Sequence, residues 1–90
     1  MSTYVKDPDE RLDYTINWND GWLASGETIS TSDWTLDSGI TEYSSSNSNT
    51  TATVWISGGT HGQEYKATNQ ITTSASRIGE RSIKILCRER

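Results

Sequence analysis

Leu12, Tyr14, Ile16 and Trp18 alternate without a break with Asp13, Thr15 and Asn17. A period of two predicts a strand with its even-numbered side in a core. Thr51 to Ser57 repeats the pattern, with Ala52, Val54 and Ile56 on one face and Thr53 and Trp55 on the other. A longer strand follows, in which Tyr65, Ala67, Asn69 and Ile71 alternate with Lys66, Thr68, Gln70 and Thr72. Ile83, Ile85 and Cys87 alternate with Ser82, Lys84 and Leu86 in a last strand. Between Thr28 and Leu36 the apolar parity changes from Ile29 to Trp34 and Leu36, so a bulge near Thr31-Ser32-Asp33 is expected. Thr3 to Lys6 and Ile40 to Ser44 read as shorter strands.

Turn chemistry separates these runs. Asp7-Pro8-Asp9 is a bend, because proline presets φ and aspartate side chains close the turn. Asn19-Asp20-Gly21 and Ser25-Gly26 bracket a loop holding Trp22 and Leu23, and Ser38-Gly39 makes the next turn. Ser44 to Asn49 reads as a polar hairpin loop, Gly58 to Gly62 as a glycine-permitted connection, and Ser74 to Gly79 as the last turn. About seven short strands and no helical period predict an all-β fold, a small antiparallel immunoglobulin-like β-sandwich in one domain spanning 1–90. Gly62-x-x-Tyr65-x-Ala67 fits the tyrosine that braces a corner of such sandwiches, with Ala67 where cysteine often stands. The alternative is an ordinary core tyrosine.

Composition restrains this picture. The 90 residues are 31% hydrophobic, with 13 Ser and 13 Thr, which raises disorder as an option. Four Trp and four Tyr argue against it, since aromatic and β-branched residues fit a pleated, half-buried surface. No run approaches the roughly 20 apolar residues of a membrane helix, and the first residues lack a signal-peptide pattern. One Cys forms no internal disulfide, which makes a reducing compartment of synthesis the simplest context. Net charge is −4, but residues 1–45 carry nine acids against two bases and residues 46–90 three against six. The halves thus stand at −7 and +3, either as solvated surface or as complementary patches. A net-negative chain without a long basic run argues against nucleic-acid binding.

Candidate chemistry is sparse. Asp7, Asp9, Glu10 and Asp13 cluster closely enough to suggest calcium ligands, but they divide between a turn and a strand and read as a solvated turn. One His and one Cys build no Cys/His zinc site within a single chain. His61 lies in a glycine-rich loop without a nucleophile elbow around Ser57 or Ser74, and Ser57-Gly58-Gly59-Thr60 lacks the lysine and helix of a phosphate loop. Cys87 reads as a small core residue, and the Asn49-Thr50-Thr51 sequon as silent. No catalytic, cofactor-binding or metal residue is therefore assigned. Trp18 and Trp34 continue apolar faces and belong in the core. Trp55 points away from Val54 and Ile56, and Trp22 lies in a loop. These two either pack at the edges or serve as exposed aromatic anchors.

Several segments together carry a resemblance. They are Asp7-Pro8-Asp9, Leu12-Asp13-Tyr14, Trp22-Leu23-Ala24-x-Gly26-Glu27-Thr28-Ile29 and Trp55-Ile56-Ser57-Gly58-Gly59-Thr60-x-Gly62. Tyr65, Ile71-Thr72-Thr73-Ser74-Ala75, Arg81-Ser82-Ile83 and Arg88-Glu89-Arg90 continue the series. In this order, over nearly the whole chain, they resemble the fibre–tail adaptor proteins of tailed bacteriophages. The resemblance implies a structural virion protein with an immunoglobulin-like domain and no enzymatic activity, made in the host bacterial cytoplasm. Its partners would be other phage structural proteins at the fibre, tail or neck, or the major capsid protein, with several copies per particle and neither nucleic acid nor membrane.

Two other readings stand beside it: a capsid decoration protein, and a carbohydrate-binding module that stacks sugars on Trp22 and Trp55. An enzyme is the weakest. For an assembly protein the expected contact residues are Tyr4 and Lys6 in the first strand, Trp22, Trp55, and Arg88 and Arg90 at the C-terminal end, since chain ends are readily ordered by a partner.

Overall fold

The computed structural model describes residues 2–89 and contains seven strands: β1 Ser2–Lys6, β2 Leu12–Asn17, β3 Ile29–Leu36, β4 Ile40–Asn47, β5 Thr51–Gly58, β6 Glu64–Thr73 and β7 Ile78–Cys87. They form two sheets, of order β1-β7-β6-β3 and β2-β5-β4, packed face to face, and no described residue is helical. The alternating apolar residues of both sheets meet in one cluster. Tyr14, Ile16, Ala52, Val54 and Ile56 come from one sheet, and Ala67, Ile71, Ile83, Ile85 and Cys87 from the other. Period-two patterning thus places one side chain in two inside, and most hydroxyls outside.

Trp18 and Asn69 join the sheets through the core. The indole Nε1 of Trp18 donates to Asn69 Oδ1 at 2.8 Å, and Asn69 Nδ2 donates to Ser32 Oγ and to the Asp33 carbonyl. Asn69 is fully buried with its amide satisfied on both sides, as a buried polar group requires. Tyr65 sits at the opposite end. The Thr60 N–H donates to its hydroxyl at 3.0 Å, while Gly39 and Gly59 approach its ring. Gly39 has φ +109°, and a Cβ there would lie 2.7 Å from Tyr65 Cε1, so this turn tolerates glycine alone.

The structure corrects the sequence reading at five places. β1 runs parallel to β7, Ser2 opposite Ile83 through Lys6 opposite Cys87, so the sandwich is mixed rather than wholly antiparallel. No hairpin connects the two, because the turn after β1 carries the chain into the other sheet. The β3 bulge falls between Ile29 and Thr31, ahead of the expected position. β4 extends to Asn47, since Ser44 to Asn47 pair with Trp55 to Ala52, leaving a short turn in which Ser48 Oγ accepts from the N–H groups of Thr50 and Thr51. β7 begins at Ile78 because β6 carries its ladder to Thr72. Trp34 and Leu36, expected in the core, are half-buried because β3 is a sheet edge.

Candidate interface on the outer face of the β2-β5-β4 sheet

Trp55 occupies the middle strand of the three-stranded sheet, with Asp13 of β2 on one side and Ser44 of β4 on the other. Its neighbours Val54 and Ile56 are fully buried, so the pleat turns the indole outward, where it is 39% exposed. Beside it the β4–β5 register slips between Glu42 and Ser44, and the extra residue is Tyr43, 58% exposed. The Arg11 guanidinium lies 3.8 Å from the Tyr43 ring centroid. Arg11 precedes β2 and Tyr43 lies on β4, with β5 between them. Leu12 and Ile56 fill the inner side, so the stacked pair crosses the outer face. Asp13, opposite Trp55, and Asn17, opposite Thr51, also face outward, and between them Thr15 and Thr53 share a hydrogen bond of 2.9 Å.

Such a face suits contact with a protein. Tyr, Trp and Arg are the residues enriched at interface centres, and the short hydroxyl side chains around them leave a flat surface. Among the described residues no three His, Cys, Asp or Glu converge on a metal position. Asp7 and Glu10 spend their carboxylates on the turn itself: Asp9 N–H donates to Asp7 Oδ1 and Asp7 N–H to Glu10 Oε1. His61 Nδ1 accepts from the Glu89 N–H, and Cys87 is buried.

The expected contact residues do not form one patch. Tyr4 is 36% exposed on β1, its ring centroid 5.0 Å from that of Tyr14. Lys6, expected on the surface, is fully buried, and its Nζ donates to the carbonyls of Gly58 at 2.6 Å, Asp7 at 2.9 Å and Pro8 at 3.5 Å. A lysine is tolerated there because backbone acceptors take its protons. Trp22 is half-buried: it packs edge-on against Trp18 at 5.1 Å, under the Arg77 guanidinium at 4.3 Å and against Gly79. It closes one end of the sandwich, which removes one of the two aromatic platforms of the sugar-stacking alternative. Arg88 is exposed, with its N–H bonded to the Lys6 carbonyl, and Arg90 lies outside the described residues. Sequence patterning missed Arg11 and Tyr43. The bulge breaks the alternation that would have placed Tyr43 beside Trp55, and a lone Arg ahead of a strand carries no signal.

An ion pair between the buried Glu27 carboxylate and the half-exposed Arg77 guanidinium lies at the Trp22 end. Glu27 accepts from Arg77 through both Nε and Nη2, from the Ala24 N–H at 2.9 Å and from Thr73 Oγ1 at 2.6 Å. The Arg77 guanidinium first, then the Ala24 N–H and the Thr73 hydroxyl, hold its carboxyl at about 2, and Glu27 in turn pushes Arg77 up. Arg77 also donates to the Trp22 carbonyl, so the cluster pins the loop before β3 to the β6–β7 turn.

A family model described as "Podophage GP4 fiber-tail adaptor protein gp77" matches residues 6–86. Comparison with curated proteins gives no match.

Proposed function

The chain belongs to the podophage fibre–tail adaptor family, and from that premise we propose that Trp55, Tyr43 and Arg11 form its principal contact with a fibre or tail partner. The family is one of structural virion proteins, whose work is contact between fibre and tail. The observation that carries the assignment is the pair of exposed aromatic residues on adjacent strands of one face, unused by the core. A second, smaller contact is assigned to Tyr4 and Arg88 along β1 and the end of β7. Several copies per particle, synthesis in the host cytoplasm, a single domain over 1–90 and the absence of catalysis belong to the same reading. An immunoglobulin-like assignment of the sandwich is supported by the order β2-β5-β4 over β7-β6-β3 and by the Tyr65 corner.

The test is particle assembly. Phage carrying Trp55→Ala with Tyr43→Ala should lose the adaptor or the fibres from purified particles, as read by mass spectrometry and negative-stain microscopy. Normal fibre occupancy with a folded double variant would refute the assignment.

A further inference from the structure

We propose that the free edge of β4 pairs with β4 of a second copy of this chain, antiparallel and centred on Ser45, joining two three-stranded sheets into one of six strands. β4 is hydrogen-bonded to β5 alone. Only Ile40 of its eight residues reaches the core, and Thr41 to Asn47 are exposed without interruption. Unpaired strand edges template further strands, and proteins commonly blunt them with charge, proline, bulges or shortness. The remaining edges show such protection. β1 has five residues, β3 carries its bulge and the exposed Asp33, and Arg81 donates to the carbonyls of Asn17 and Asp20 at the end of β2. Beyond the Tyr43 bulge, Ser44-Ser45-Ser46-Asn47 has no charge, no proline and no register shift.

The occupant follows from charge and from side-chain size. Three serines are too short and too alike to read a foreign sequence, so this edge selects on backbone geometry and on the absence of repulsion. A two-fold axis at Ser45 sets Ser44 opposite Ser46, Tyr43 opposite Asn47 and Glu42 opposite Ser48, and no like charges face each other. The joined sheet carries two Trp55, two Tyr43 and two Arg11 on one continuous outer face. A single strand pair buries less than the roughly 1,200–2,000 Å² of a stable interface, so pairing depends on concentration, as among copies held in an assembly. Each copy carries −4 while Ser44 to Asn47 are neutral, so added salt strengthens the pair by screening the long-range repulsion.

Sedimentation equilibrium of the purified chain, from micromolar to millimolar, is the experiment. The weight-average mass should climb from 10.0 kDa toward twice that value, and climb further at higher salt. Ser45→Lys places two lysines across the axis. It should stay monomeric throughout while keeping the wild-type melting curve, since Ser45 is exposed and outside the core. Ser45→Cys with oxidised glutathione should give a dimer whose cross-linked peptide contains position 45 from both copies. A mass fixed at 10.0 kDa, a dimer that survives Ser45→Lys, or association that weakens with salt overturns the proposal. None of these results bears on Trp55 or Tyr43, so edge pairing and adaptor contact fail separately.

Discussion

The ammonium of Lys6 donates to the carbonyl oxygen of Gly58 at 2.6 Å, tying the first strand of one sheet to the end of β5 in the other. The chain leaves β1 one residue later, and the same Nζ also holds the Asp7 and Pro8 carbonyls, so a single side chain fixes the crossover between sheets. Lys6→Met keeps most of the stem and removes the donors. The Asp7 carbonyl keeps the Glu10 N–H, but the Gly58 and Pro8 carbonyls lose the ammonium, and at about 1–3 kcal/mol for an acceptor left unpaired chemical denaturation should show a loss toward the lower end of that range. Lys6→Arg should not restore it, because a planar guanidinium does not fit a pocket shaped for a compact ammonium. Wild-type stability for Lys6→Met would show that the Gly58 and Pro8 carbonyls find water instead.

Glu27 should make the fold sensitive to acid. Its carboxyl stands at about 2 in the folded chain, against an ordinary value of 4.5, because Arg77, the Ala24 N–H and the Thr73 hydroxyl all favour the charged form. A depressed folded-state value means that the stabilisation is complete above about 4.5 and drains away as pH falls toward 2. The thermal midpoint should therefore hold steady above pH 5 and drop between 4.5 and 2. Glu27→Gln should melt lower at neutral pH and show a shallower decline across that window. An identical acid profile in the variant would assign the sensitivity to other carboxylates.

Gly79 and Trp22 are matched in shape. A Cβ at position 79 would lie 2.5 Å from Trp22 Cζ2, with two further ring atoms within 2.9 Å. Gly79→Ala should displace the indole from Trp18, destabilise by about 1–3 kcal/mol and shift tryptophan emission to the red. In a Trp22→Ala background the same change should cost much less, since the ring it strikes is gone. Additive effects in that double-mutant cycle would mean that the two residues do not couple.

The elements with unbroken alternation were legible in the sequence: β2, β5 and β6 lie where Leu12, Ala52 and Tyr65 open their apolar series. The outward direction of Trp55 followed from the same parity. Less local features were not legible. Pairing of β1 with β7 joins residues about 80 positions apart, and the period of a strand says nothing about its partner's direction. The burial of Lys6 depends on three carbonyls supplied by the turn and by β5. The Glu27–Arg77 pair spans 50 residues and falls on no shared period. Tyr43 was hidden because the bulge that exposes it also breaks the alternation that would have marked it.

Trp22 and Trp55 separate fold from contact. Trp22 touches Trp18, Arg77 and Gly79, so Trp22→Ala removes packing at the end of the core and should destabilise by about 2 kcal/mol or more. Trp55 lies on an outer face and supports nothing beneath it that its strand neighbours do not already cover, so Trp55→Ala should stay within about 1 kcal/mol of wild type. Particle incorporation should show the reverse order. Trp55→Ala chains fold normally and compete poorly with wild type for particles when the two are co-expressed, whereas Trp22→Ala chains enter in proportion to their folded fraction. The contrast matters because a poorly folded adaptor also fails to assemble. Incorporation measured against folded protein, by quantitative mass spectrometry of particles and of the soluble pool, removes that ambiguity. Should Trp55→Ala melt far below wild type, its indole is part of the fold, and Tyr43 with Arg11 must carry the contact.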